Sequence, residues 1–421
     1  MLHSALGLCA LMLIAWLSGA DRRSPARRFP RLPWRMIAAG LGLQFAIAGL
    51  VLKVPAFKAL FMGLNGVVHA LEEATRAGTG FVFGFVGGAP APFVPTNPAL
   101  TFSLAFQSLP LVILIAALAS LLFHWGVLQR VVRLFSLVLE KTMGIGGALG
   151  VGSAGCIFLG MIESPLLIRP YLAVMTRSEL FALMATGMSC IAGTMLVLYA
   201  SVLQNVIPDA LGHILTASVI HAPAALLVAA LMLPESGQPT LGREMPRSAA
   251  TGSVDALCRG TWEGLQLFWN IVAMLIVFVA VVKLANIGLA ALPEVQGAPV
   301  TLQRALGAVL APVAWLIGVP WAEAQTAGSL LGTKIILNEF LAFIDLAALP
   351  EAALSAHSRL ILTYAMCSFA NFGSLGILIA GLGTLCPERR SEITGLGMRS
   401  LLAGVIASLM TGCVVGVIAS L

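Results

Sequence analysis

The sequence predicts an all-α integral membrane protein. Its expected parts are eight transmembrane helices plus two re-entrant helical hairpins in an inverted-repeat arrangement. Three observations carry this. Of 421 residues, 59% are hydrophobic and only 10% charged, with a mean hydropathy of +0.98, whereas a soluble domain carries about 25% charged residues. Apolar runs longer than the ~17 residues that a spanning helix needs recur along the chain. Two further apolar regions, 146–172 and 303–346, are interrupted by Gly and Pro and carry carboxylates; paired segments of that kind point to an inverted-repeat transporter site.

The first run, MLHSALGLCALMLIAWLSGA, has the length of a signal peptide. Its positive cluster follows the apolar stretch instead of preceding it, so the run reads as a retained span over 4–20. The cluster itself (Arg22, Arg23, Arg27, Arg28, Arg31 and Arg35) sets the next loop on the cytoplasmic side and is not read as a nucleic-acid surface. Spans follow near 36–52, 103–125, 178–204, 210–234, 264–290, 358–383 and 398–421. The stretch around 56–77, with Lys53, Lys58, Glu72, Glu73 and Arg76, and the stretch 126–144 read as interfacial amphipathic helices. An even number of spans, with the basic turn 387–399 also cytoplasmic, puts both termini outside. In a bacterial inner membrane that side is the periplasm.

The polar linker 235–260 is the natural divide between the halves. On this reading 1–144 holds scaffold spans and interfacial helices, and 145–234 the first hairpin with its following helices. Residues 235–260 form a cytoplasmic linker, 261–302 a scaffold span, and 303–421 the second hairpin with its helices.

Two carboxylates stand inside apolar sequence: Glu163 in GMIESPLLIRP and Glu339 in KIILNEFLAFID. A charge at the bilayer centre costs about 3 kcal/mol, so an intramembrane carboxylate marks a functional site with a partner nearby. Around Glu163 the chain is broken by Gly160, Pro165 and Pro170, and broken backbone at membrane depth survives only against protein or a water-filled cavity. Transport is the first implication. The bland alternative for Glu163 is an ion pair with Arg169. The seven cysteines are scattered without a CxxC, which indicates neither a zinc site nor a disulfide framework. The six histidines show no ligand spacing, so no metal and no resident cofactor is expected.

Seven ordered motifs then carry a resemblance. They are GTGFVFG (78–84), GMIESP with the following RP (160–170), TRSELFALM (176–184), SCIAG (189–193), GVPWAEA (318–324), NEFLAF (338–343) and CSFANFGS (367–374). At these motifs the chain resembles the concentrative nucleoside transporters over nearly its whole length. The resemblance implies a homotrimer in the lipid bilayer that carries nucleosides inward, driven by a sodium or proton gradient, with a transport domain moving against a trimeric scaffold. It implies that the base meets the first hairpin at Met161, Ile162 and Glu163, and that Glu339, Asn371 and Ser374 hold the sugar. Met195 and Phe369 are implied to line the same pocket. The bland reading of Asn371, Ser374 and Phe369 is helix packing. Glu323 is expected to act structurally or in gating, and Lys334 and Asp345 receive no role.

Two departures from the family pattern matter. Many members use Gln and Thr to read the base where this chain has Met161 and Ile162, so recognition here rests more on shape and on Glu163, with a lean toward purine nucleosides. A modified nucleoside stays open. In sodium-coupled relatives the cation is held by oxygen ligands at the positions of Cys156, Leu159, Cys190 and Ile191. Sodium wants oxygen and thiols suit soft metals, so the pattern favours co-transported protons, carried by Glu163, over sodium. Rival classes are an intramembrane enzyme and a channel. The chain has no HExxH, GxSxG or similar catalytic motif, which argues against the enzyme.

Overall fold

A computed structural model describes residues 2–19, 32–94, 101–204, 206–235, 237–242, 245–246, 248–294, 297 and 299–420, without the side chains of 55–65. The arginine loop expected to set orientation lies, apart from Arg35, outside the described residues, as does the side chain of Lys58.

Every regular element among the described residues is helical. The chain opens with α1 (Leu2–Ser18), α2 (Trp34–Lys53) and α3 (Pro55–Phe83), continues through a π turn at Leu104–Ser108 into α4 (Leu111–His124), and reaches α5 (Val127–Met143). The first hairpin is α6 (Gly147–Phe158) and α7 (Glu163–Leu167), followed by α8 (Arg177–Ser189), α9 (Gly193–Leu203) and α10 (Ala210–Met232). After the linker come α11 (Ser253–Leu289), α12 (Leu302–Leu316), α13 (Trp321–Ile336), α14 (Glu339–Ala348), α15 (Ala356–Met366), α16 (Phe372–Leu385) and α17 (Arg390–Ala419).

The order α5–α10 is repeated in α12–α17: a flanking helix, a hairpin, a helix broken midway, then an unbroken helix. The eight expected crossings correspond to α1, α2, α4, α8 with α9, α10, α11, α15 with α16, and α17. Six of these segments are long and apolar enough to cross on their own, whereas α1 and α16 are shorter apolar pieces.

The structure redraws two boundaries. The second hairpin was expected over 303–346, but Gly318 and Pro320 mark a bend of 116° between α12 and α13, and the hairpin tip lies at Leu337–Asn338, between α13 and α14. The expected spans 178–204 and 358–383 are each built from two helices. Both are broken, at 190–192 and at 367–371, within the small and polar clusters the sequence carries there.

Helices α8 and α10 are buried along almost their whole length and α17 from Ala403 to Gly416 in all but one position, as helices without a solvent-facing polar stripe must be. Helix α11 behaves oppositely: Trp262, Trp269, Ile276 and Leu284 are exposed, so its outer face looks to lipid or to a neighbouring chain. Its inner face is held to α4 by a small-xxx-small pair. A Cβ on Gly260 would lie 2.6 Å from the Ala116 carbonyl oxygen, and one on Gly264 2.8 Å from the Cα of Ile113.

Candidate functional site

The helix breaks matter because they converge. The starts of α7, α9, α14 and α16 all border one cavity of about 200 Å³. For α9, α14 and α16 this aims the positive ends of helices, with first-turn N–H groups lacking intrahelical acceptors, at the same space. Asn338 caps α14 by accepting from the Leu341 N–H at 2.8 Å, and Asn371 caps α16 by accepting from the Ser374 N–H at 2.7 Å.

Glu339 sits at the first position of α14 with 4% exposure. Its Oε1 accepts from the Tyr199 hydroxyl at 2.5 Å and its Oε2 accepts from Asn371 Nδ2 at 2.8 Å. Because Asn371 Oδ1 is taken by the Ser374 N–H, the amide is oriented with its donor toward the carboxylate. Tyr199 is itself fixed by ring contacts with Phe340 and Phe343, centroids 5.8 and 5.2 Å away.

Glu163 enters the same cavity from the other hairpin. The tip is shaped by Gly160, at φ +103°, where a Cβ would stand 2.9 Å from the Ala192 Cβ and 3.0 Å from Glu163 Oε2; only glycine permits both the dihedral and the approach. Ser164 donates to the Gly152 carbonyl and ties α7 to α6. Among the described residues Glu163 forms no ion pair with Arg169 or with any other cation.

The structure brings all eight expected substrate residues to this cavity: Met161, Ile162, Glu163, Met195, Glu339, Phe369, Asn371 and Ser374. Of the five expected ion-coupling residues, Glu163 lines the cavity, whereas Cys156, Leu159, Cys190 and Ile191 are not among its lining residues. Cys156 and Cys190 pack together, each 1% exposed, and Cys190 Sγ donates to the Ser218 carbonyl at 3.6 Å. Ile191 is fully buried and Leu159 partly so. Sequence reasoning missed Tyr199, Thr194, Asn338 and the wall supplied by α11 through Asn270, Met274 and Phe278. Tyr199 had a usable signal, being one of only three tyrosines in the chain.

Glu323 takes a structural place, its Oε2 accepting from the backbone N–H and hydroxyl of Ser355, both at 3.1 Å, just before α15. Asp345 is exposed on α14. A larger cavity of about 890 Å³ near Asp209 and His213 includes Arg359, but that guanidinium is already engaged by the carbonyls of Leu346, Leu349, Pro350 and Leu354. Convergent polar groups, not size, single out the smaller space.

The chain matches family profiles along its length: the Na+ dependent nucleoside transporter N-terminus over residues 6–86, the nucleoside recognition Gate over 105–205, and the Na+ dependent nucleoside transporter C-terminus over 213–416. It is 35% identical to the uncharacterized transporter YutK of Bacillus subtilis, covering 99% of this chain and 98% of that one. It is 31% identical to the nucleoside permease NupC of Helicobacter pylori, covering 99% and 97%. Against the mouse sodium/nucleoside cotransporter 1 the identity is 32%, over 99% of this chain and 64% of the relative. The solved structure of CNTnw in an inward-facing substrate-bound state superposes with a TM-score of 0.88 at 33% identity, covering 99% of this chain and 98% of that one. A likeness of fold, length and sequence together shows that the chain belongs to the concentrative nucleoside transporter family, a family of membrane transporters and not of enzymes.

Proposed function

We propose that this protein is a secondary-active symporter that imports nucleosides, with a lean to purine nucleosides, and that protons drive it. The observation that carries the substrate reading is the chemistry of the cavity lining. Among the described residues it holds two carboxylates (Glu163 and Glu339), three amides (Asn270, Asn338 and Asn371), the hydroxyls of Thr194, Tyr199 and Ser374, and a remainder that is apolar or glycine, with no Lys or Arg. Vicinal sugar hydroxyls need fixed acceptors and donors, and an apolar slot suits a base. A phosphorylated ligand needs cationic partners, which this lining does not supply.

Sugar hydroxyls bind at Glu339, Asn371 and Ser374, and the base lies toward Met161, Ile162 and Glu163. Two sulfurs at the expected ion positions, one already donating to a carbonyl, support proton coupling through Glu163. A second reading, sodium coupling, is favoured by the mouse relative's name and by backbone carbonyls freed at the 190–192 break. The exposed apolar face of α11 supports a homotrimer, with the two hairpins moving as one body past this scaffold in elevator-type alternating access. A bacterial inner membrane with both termini periplasmic completes the proposal.

The test is competition of labelled uptake by a nucleoside panel, with and without sodium, at two pH values. Competition by purine nucleosides with uptake that follows the pH gradient and ignores sodium is expected; strict sodium dependence at constant pH reverses the coupling assignment.

A further inference from the structure

Lys334 is 1% exposed, among the largest fully buried side chains of the protein, on the last turn of α13. Among the described residues its ammonium forms no hydrogen bond and no ion pair, and it stands five residues before Glu339, on the other side of the hairpin tip at Leu337–Asn338. Such a charge is strongly disfavoured unless something nearby needs it.

Glu339 supplies the need. Both of its oxygens accept hydrogen bonds, from Tyr199 and from the Asn371 amide whose orientation is fixed by Ser374. A neutral acid would have to turn its proton to the Tyr199 hydroxyl and give up that donor, whereas a carboxylate accepts from both Tyr199 and Asn371 and keeps lone pairs for a substrate hydroxyl. An ionised carboxylate at 4% exposure in turn calls for a compensating positive charge. Lys334, at the same hairpin tip, is positioned to be that charge.

The internal repeat gives independent support. Cys156 is the third residue from the end of α6, and Lys334 is the third from the end of α13. Cys190 directly follows α8 as Cys367 directly follows α15. Both thiols donate to successive turns of α10, Cys190 to the Ser218 carbonyl at 3.6 Å and Cys367 to the Ile214 carbonyl at 3.7 Å. The two halves thus present the same frame, and the second alone carries a cation in it.

We propose that Lys334 is the built-in counter-ion of the sugar site, a positioning residue that keeps Glu339 as an acceptor-only carboxylate aimed at substrate hydroxyls. In the first half the equivalent place is uncharged, so Glu163 has no resident cation and takes its positive partner from the gradient. This rests on the nucleoside reading of the cavity. Around the pair the other titratable groups are Tyr199 on α9, His221 on α10, Cys367 in the break and Glu163 across the cavity.

The experiment is a double-mutant cycle on the full-length protein, with Lys334→Met, Glu339→Gln and the double substitution. Affinity is read for a ribonucleoside and for its 3′-deoxy analogue, and thermal stability without substrate is read in parallel. Lys334→Met should lower ribonucleoside affinity at least tenfold and erase discrimination against the 3′-deoxy analogue, while changing affinity less than twofold when Glu339→Gln is already present. Equal losses in both backgrounds overturn the proposal, because a structural role acts regardless of the charge on residue 339. If Lys334→Met fails to fold, the double substitution should restore folding by removing both charges together; failure of the double overturns the proposal too. Absence of nucleoside binding by the unmodified protein would instead sink the nucleoside reading, and the stability cycle would still test the charge pairing.

Discussion

Substituting Glu339 with Gln keeps the shape of the sugar site and changes its chemistry. In the structure Oε1 and Oε2 accept from Tyr199 at 2.5 Å and from Asn371 at 2.8 Å. A glutamine can turn its carbonyl to Asn371 and its amide to the Tyr199 hydroxyl, which accepts after rotating. The fold should therefore survive. The lost element is the charge-assisted acceptor for a substrate hydroxyl, and hydrogen bonds to charged groups contribute about 1.5–3 kcal/mol. At 1.4 kcal/mol per tenfold, affinity should fall about 10- to 150-fold. Equilibrium binding of labelled nucleoside to purified protein measures this directly, with size-exclusion chromatography to check assembly. An affinity within twofold of the unmodified protein would refute the assignment of Glu339 to the sugar.

Three further outcomes are expected. Glu163→Gln cannot take up a proton, so uptake into proteoliposomes should lose its dependence on an imposed pH gradient while nucleoside exchange continues; intact gradient-driven accumulation contradicts the carrier role. Met161→Gln restores a donor and an acceptor beside the base, and should widen pyrimidine acceptance in competition assays; an unchanged competition profile counts against Met161 as a base contact. The pair Cys156→Asn with Cys190→Ser replaces sulfur by oxygen at the expected ion positions, and uptake should become sodium-stimulated, whereas indifference to sodium would remove these positions from the coupling pathway.

Much of this was legible in the sequence, for reasons that can be located. Glu163 and Glu339 stand out because charge is rare in such apolar company, and the first hairpin tip is announced by Gly160 and Pro165, whose backbone demands are local. The second hairpin was drawn too wide, over 303–346, because Gly318 and Pro320 serve the bend between α12 and α13, while the turn at Leu337–Asn338 uses neither glycine nor proline. The break at 367–371 has no proline, and hydropathy cannot see it. It forms because Asn371 caps the next half-helix, a tertiary solution written in a single side chain. Helix α11 was legible as a span, but its contribution of Asn270 and Phe278 to the cavity follows from the packing of Gly260 and Gly264 on α4, which periodicity alone does not reveal.

The decisive measurement is a structure of this protein with a nucleoside bound. The account predicts the ligand between the two hairpin tips, its ribose hydroxyls within hydrogen-bond distance of Glu339 and Asn371 and its base toward Met161 and Glu163. A nucleoside seated instead in the larger cavity beside Asp209 and Arg359, or lying out of reach of both carboxylates, would contradict it.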